Sequence, residues 1–212
     1  MEYRVFDLGL VDYQESLEFQ RLIFQEILDG KFNAALVLCR HYPVITLGRR
    51  AVRENILAPE EELRRQNIPL VKVERGGDVT YHGPGQLVAY PLVDLQFLKK
   101  DIHWFLRCLE GLIIDLLAGY GVSGQRKPGL TGVWVEEGKI ASIGIAIGKW
   151  ISFHGISLNL KSDDLAGFGL IRPCGMDIRM TCLEGLLGRL PQEQEIKKNL
   201  AEQFSKFLKK GE

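Results

Sequence analysis

Residues 75–86, Arg75-Gly76-Gly77-Asp78-Val79-Thr80-Tyr81-His82-Gly83-Pro84-Gly85-Gln86, place four glycines and a proline within twelve positions. Glycine and proline at that density cannot sit inside a helix, and they lack the side chains that hold a core together. The run therefore separates two packed elements, and the β-patterned stretches on either side, residues 70–73 and 86–95, make those elements strands. Glycine lets a ligand lie against bare backbone, and N–H groups in such a loop can bind an oxyanion or a carbonyl. Arg75 adds a fixed positive charge and His82 a group that titrates near neutrality. The spacing is neither G-x-G-x-x-G nor a P-loop, so no nucleotide site follows from it. A tight structural turn with a satisfied histidine is the alternative reading.

The remaining pattern is mixed. A strand over residues 3–8 leads to Asp12 and Glu15, spaced as a capping box, and Leu17, Phe24, Ile27 and Leu28 then recur at helical spacing until Gly30. Two β-rich runs, residues 35–39 and 44–47, precede a short charged helix over residues 59–66 with Pro59 in its first turn. Residues 102–118 read as a second amphipathic helix. Residues 132–136 and 139–147 read as a hairpin turning at Glu137-Gly138, with a further strand over residues 151–160. A helix over about residues 192–210 closes the chain. This predicts one α/β (α+β) domain over residues 1–212, with a mixed, largely antiparallel sheet flanked by helices and no regular βαβ alternation.

Composition excludes several classes. The 212 residues are 46% apolar and 25% charged, too apolar for a disordered chain. The 27 basic residues balance 27 acidic ones, unlike a dedicated nucleic-acid binder. The opening Met1-Glu2-Tyr3-Arg4 carries an acid and no apolar run, so no secretory signal is expected. The greasiest stretch, residues 109–119, is broken by Glu110 and Asp115 and too short for a bilayer. The four cysteines show no CxxC pair, and the four histidines are scattered without metal-ligand spacing. A reduced, cytoplasmic protein with no bound metal is the expectation.

Two residues could carry nucleophilic chemistry. Cys174, in Arg172-Pro173-Cys174-Gly175-Met176, lies on an irregular segment where functional side chains are displayed. Its thiol can attack an activated acyl group if something lowers its pKa, and a small buried hydrophobe is the alternative. Cys182 is its competitor, whereas Cys39 and Cys108 sit in apolar strand and helix patterns. Lys139 opens an apolar strand; pointing outward it would snorkel, and pointing inward it could hold a thiolate or move a proton. His154 alternates with apolar residues and reads as a sheet-face histidine.

In order, His41-Tyr42-Pro43-Val44 with Thr46 and Gly48, RGGDVTYHGPGQLVAYP from Arg75, GVWVEEGKIASIGI from Gly132, SFHGISLNL from Ser152 and RPCGM from Arg172 resemble the LipB octanoyltransferases, the lipoyl(octanoyl) transferases of lipoate biosynthesis. The likeness covers nearly the whole chain and implies a fold like the catalytic domain of biotin and lipoate protein ligases. It implies transfer of octanoate from the phosphopantetheine thioester of acyl carrier protein to a lysine of a lipoyl domain. The implied acceptors are the lipoyl domains of 2-oxoacid dehydrogenase complexes and the glycine cleavage H protein. By motif, Cys174 becomes the acyl-thioester nucleophile and Lys139 the residue that lowers its pKa. Arg75, Gly76, Gly77, Asp78, Val79, Thr80, Tyr81 and His82, then Ser142, Ile143 and Gly144, then Gly155, Ile156 and Ser157, become substrate contacts. No ATP, metal or other cofactor is implied, because the donor carries its own phosphopantetheine.

The rivals differ in chemistry. An ATP-dependent lipoate or biotin protein ligase would activate a free acid without a nucleophilic cysteine, and lipoate ligases usually carry an additional C-terminal domain, for which no room is expected after Arg189. A lipoyl-domain octanoyl amidotransferase would share the thiol and differ in donor. A carrier-protein binding module would require neither Cys174 nor Lys139. Val79, Ile143 and Ile145 are candidates for an acyl tunnel, with core packing as the alternative, and Arg49, Arg50 and Arg53 for contacts to an acidic carrier protein, with a solvated loop as the alternative.

Overall fold

Asp12 starts the first helix as the sequence predicts: its carboxylate accepts the backbone N–H of Gln14 at 2.8 Å, and α1 (Tyr13–Leu28) follows. The computed structural model describes the backbone of residues 2–210 and the side chains among them other than those of Cys174 and Lys210. α1 joins β1 (Tyr3–Val11) to β2 (Ala34–His41), which pair in parallel. This is a single βαβ crossover, in keeping with a pattern that lacks regular βαβ alternation, and Gly30, at φ +75°, makes the reversal after α1.

β3 (Val44–Leu47), α2 (Glu60–Arg65), β4 (Leu70–Lys72) and β5 (Val79–His82) come next, then β6 (Gln86–Val93) and α3 (Ile102–Ala118). β7 (Val133–Val135), β8 (Gly138–Gly148), β9 (Ile151–Asn159), α4 (Leu183–Leu187) and α5 (Glu193–Lys210) complete the elements. The strands form two sheets where the sequence suggested one. A six-stranded sheet runs β1-β2-β6-β9-β8-β7, antiparallel except for β1 with β2, and a three-stranded sheet runs β4-β3-β5. β5 lies inside the glycine-dense run. It survives there because the glycines sit beyond its ends, at 76, 77, 83 and 85, leaving Val79–His82 free to pair with β3.

Every residue of β6 is buried because helices cover both faces of the large sheet. Leu87, Ala89 and Val93 face α3 and α5, packing with Phe105, Leu109, Ile113 and Phe204. Val88, Tyr90 and Leu92 face α1, with Ile23 and Ile27. A separate apolar cluster of Ile45, Leu63, Val79, Tyr81, Phe168 and Ile171 lies under the small sheet.

The β7–β8 hairpin turns at Glu136 and Glu137, one residue earlier than expected, with Val135 opposite Gly138. Glu136 takes the positive φ of +50° that a tight turn needs. Gly138 is used differently: a Cβ there would come within 2.8 Å of Thr181, whose segment lies against the strand. Among the described residues no helix is long and apolar enough to cross a membrane.

Candidate active site

A cavity of about 410 Å³ is lined from both sheets, within the range of about 300–1,000 Å³ typical of small-molecule sites. β8 runs along it from Lys139 to Ile145, about 20 Å at the rise of an extended strand. Each contact residue expected from the sequence lines this cavity except Tyr81. Tyr81 packs instead into the small cluster, where its ring meets Phe168 edge-on at 5.7 Å and its hydroxyl reaches Asp164 at 3.5 Å.

The glycine-rich loop is pinned as a wall. The Arg75 guanidinium, buried beneath it, donates to the Thr46 carbonyl at 2.8 Å and to the Thr46 hydroxyl at 2.9 Å. The Gly76 N–H donates to the Ile145 carbonyl at 2.8 Å, so that donor is already engaged. Gly48 and Gly144 are required nearby: a Cβ on Gly48 would meet the Gly77 carbonyl, and one on Gly144 would lie 3.2 Å from the Gly76 carbonyl.

At one end of the cavity stands Lys139, only 7% exposed although it is a lysine. Its ammonium lies 5.1 Å from the centroid of the Trp134 ring, a cation–π contact. Gly132, at φ +136°, makes room for its stem, since a Cβ there would come within 2.6 Å of the Lys139 Cε. The buried Glu110 carboxylate accepts the Gly132 N–H at 3.1 Å, fixing this approach from α3. The segment following Cys174 is stitched to the same strand residue: Lys139 N–H donates to Arg179 at 2.8 Å, and Thr181 N–H donates to the Lys139 carbonyl at 3.0 Å. Pro173, next to Cys174 in the 3₁₀ turn Pro173–Gly175, lines the cavity with Lys139. The side chain of Cys174 itself lies outside the described residues. The competing thiol, Cys182, is buried at the start of α4, where its sulfur accepts the Gly185 N–H at 3.4 Å.

The opposite end carries neutral polar groups. His82 stacks on Tyr13 at 5.9 Å, and its Nδ1–H donates to Gln86 Oε1 at 3.1 Å. Burial, with His41 and Arg75 adding repulsion, pushes its pKa down to about 3. His41 lies behind it and donates from Nδ1 to the Val11 carbonyl at 3.1 Å, so Nε2 accepts the Tyr90 hydroxyl at 2.7 Å. Burial lowers its pKa to about 4. His154, on the strand face as expected but at φ +56°, is lowered to about 4 by burial and by Arg75. Burial raises the Tyr13 and Tyr90 hydroxyls.

Sequence reasoning missed the polar residues that bind this wall together. Gln86 donates to Asn159 at 3.1 Å, and Asn159 donates to the Thr181 carbonyl at 3.0 Å, linking the His82 end to the Lys139 end. Their signal was available: each is the lone amide of its strand, and a buried position tolerates an amide only with partners. Among the described residues no group of histidine, cysteine or carboxylate side chains could hold a metal ion.

Over residues 12–205 the chain matches the family described as the lipoyl protein ligase A/B catalytic domain. It is 44% identical over 203 residues to an octanoyltransferase of Geobacter sp. (strain M21), covering 95% of each chain. It is 43% identical over 206 residues to an octanoyltransferase of Thermoanaerobacter sp. (strain X514), covering 96% of this chain and 89% of the relative. Among solved structures, a lipoate-protein ligase A bound with ATP superposes with a TM-score of 0.81 at 18% identity, over 99% of this chain and 86% of that one. A biotin protein ligase from Aquifex aeolicus, in complex with biotin and ATP, gives 0.58 at 15% identity, over 98% and 71%. These two distant likenesses establish the fold, and the curated relatives establish the lineage. The chain belongs to the octanoyltransferases, acyltransferases of protein lipoylation built on the lipoyl protein ligase A/B catalytic domain.

Proposed function

We propose that the chain takes an octanoyl group from the phosphopantetheine thioester of acyl carrier protein, holds it as a thioester on Cys174, and passes it to a lysine of a lipoyl domain. The Cys174 thiolate attacks the donor carbonyl and expels the pantetheine thiolate, which takes up a proton. The acceptor amine then attacks the new thioester, forms the amide, and releases the Cys174 thiolate. The first step trades one thioester for another with little free-energy change, and aminolysis is downhill, so the sum needs neither ATP nor a metal. One proton must leave the acceptor ammonium before attack, and Lys139 is the group proposed to hold the thiolate and then move that proton.

One observation carries this reading: the turn bearing Cys174 and the Lys139 side chain border a single cavity, with the segment after Cys174 hydrogen-bonded to Lys139 itself. Val79, Ile143 and Ile145 give the cavity apolar surface for a fatty chain. The acceptors proposed are the lipoyl domains of 2-oxoacid dehydrogenase complexes and the glycine cleavage H protein, and the compartment is the cytoplasm.

The test mixes the protein with octanoyl-carrier protein and an apo lipoyl domain while ATP is withheld. Mass spectrometry is expected to find an octanoyl adduct on Cys174 and then octanoyl amide on the domain. An adduct confined to Cys182, or undiminished transfer by Cys174→Ser, overturns the assignment. Transfer only from free octanoate plus ATP would return the chain to ligase chemistry.

A further inference from the structure

Asn55 and Asp78 are both buried. Asp78 belongs to the glycine-rich wall of the cavity. Its Oδ2 accepts a short hydrogen bond from Asn55 Nδ2, and its Oδ1 accepts the Val52 N–H at 3.3 Å. Both carboxylate oxygens therefore hold the 3₁₀ turn Arg53–Asn55. That turn holds something in its own right: the Asn55 carbonyl accepts the Arg172 N–H at 2.8 Å. Ile56 bridges Ile171, and the Leu57 N–H donates to the Leu170 carbonyl at 2.9 Å, so the grip continues along the approach to Cys174. On the far side of the turn, Gly175 adopts φ +66°, and a Cβ there would lie 3.7 Å from Asn55 Oδ1.

We infer that Asn55 is a positioning residue: a strut from the Asp78 carboxylate of the cavity wall to the Arg172 backbone, setting where the Pro173–Gly175 turn presents Cys174. The turn spans three residues and is tied to Lys139 on its C-terminal side by Arg179 and Thr181. Asn55 supplies the tie on its N-terminal side. With both ties in place the Pro173–Gly175 turn is held from two sides, and the wall an acyl chain would touch is mechanically joined to the backbone that carries Cys174. For this reaction the inference rests on the thioester role proposed for Cys174.

The experiment compares wild type with Asn55→Ala, Asn55→Asp and the exchanged pair Asn55→Asp with Asp78→Asn. Three quantities are read: the single-turnover rate of octanoyl-Cys174 formation from octanoyl-carrier protein, the pH profile of Cys174 alkylation by iodoacetamide, and the melting temperature. Displacing a reacting group by about an ångström costs up to about 100-fold, so Asn55→Ala is expected to slow acylation about 10- to 100-fold at saturating donor. Its KM should change little, and its alkylation profile should move along the pH axis. Asn55→Asp sets two carboxylates face to face and should be slower still. The exchanged pair rebuilds the bond with donor and acceptor reversed, and should recover both acylation and the alkylation profile. Wild-type acylation and alkylation in both single variants overturn the inference. So does a loss in Asn55→Ala that follows melting temperature alone and is not recovered by the exchanged pair. If wild type forms no octanoyl-Cys174, the thioester reading falls instead, and the iodoacetamide profile, which needs no octanoyl chemistry, still decides the strut.

Discussion

The two ends of the cavity bury titratable side chains to a similar degree and leave them with opposite work. At one end, Lys139 stands over Trp134 beside the turn that bears Cys174. At the other, His82 and His154 with Tyr13 and Tyr90 are held neutral: burial and the nearby Arg75 guanidinium lower the imidazoles to about 3 and 4, and burial lifts the phenols. Residue type alone would have chosen the histidines as the proton carriers. Environment reverses that choice, because an imidazolium beside a fixed guanidinium in a desolvated wall is costly. The histidine end is a hydrogen-bonded wall that keeps its charge state, which is why the proposed proton movement is assigned to the lysine end.

The largest effect that can break this contrast is at Lys139. Lys139→Met keeps the stem over Trp134 and removes the ammonium, and general acid–base groups typically contribute about 10²- to 10⁴-fold. Octanoyl transfer to an apo lipoyl domain should fall by that order, while His82→Gln leaves the pH dependence of transfer between pH 5 and 9 unmoved. A shifted acidic limb in His82→Gln, or an unimpaired Lys139→Met, would exchange the roles of the two ends.

Between the ends, the wall depends on a residue without a side chain. A Cβ on Gly155 would strike the Ala89 carbonyl, Pro91 Cδ and the Tyr90 Cα, all in β6. Backbone cannot give way as a flexible side chain can, so Gly155→Ala should cost about 1–3 kcal/mol, the usual scale of overpacking. Urea denaturation reads this directly. Stability equal to wild type would mean that Gly155 serves only substrate approach.

The sequence carried the elements better than their assembly. α3 was readable to the residue because its apolar positions repeat at helical spacing and Asp101 caps it. The fold class and the mixed, mainly antiparallel pairing were also legible. The division into two sheets was not, since β3, β4 and β5 are three or four residues long and their partners are set by packing. The motif residues that line the cavity were legible because their fixed order along the chain resembles a family. What joins the motifs was not: Thr46 under Arg75, Glu110 behind Gly132, and Gln86 with Asn159 act through hydrogen bonds between residues distant in sequence. Tyr81 shows the converse, a motif residue that packs against Phe168 rather than lining the cavity.

The neutral end also predicts a pH dependence of stability. Unfolded, a histidine titrates near its ordinary 6.5; folded, His82 does so at about 3 and His41 and His154 at about 4. As pH falls below about 6.5, the unfolded chain takes up protons that the folded chain refuses, so stability declines toward pH 4 and is flat above neutrality with respect to these groups. Each such histidine contributes a slope of about 1.4 kcal/mol per pH unit within that window. His82→Gln should remove one histidine's share, measured by urea denaturation at pH 5, 6, 7 and 8. An unchanged slope would mean that His82 charges freely in the folded state.

The smallest effect separates the motif from the cavity it encloses. Tyr81→Phe removes a hydroxyl that reaches Asp164 only at 3.5 Å, and leaves the ring against Phe168. A long hydrogen bond of this kind belongs at the lower end of the usual net range, about 0.5 kcal/mol. Because Asp164 is half-buried with its carboxyl pKa raised by burial, losing the hydroxyl takes away a donor that favoured its ionised form. Stability should therefore drop slightly more at pH 8 than at pH 5, while octanoyl transfer stays within about twofold of wild type, as expected for a side chain that does not line the cavity. A larger fall in transfer at unchanged stability would place the Tyr81 hydroxyl in contact with substrate, outside the cavity lining described above.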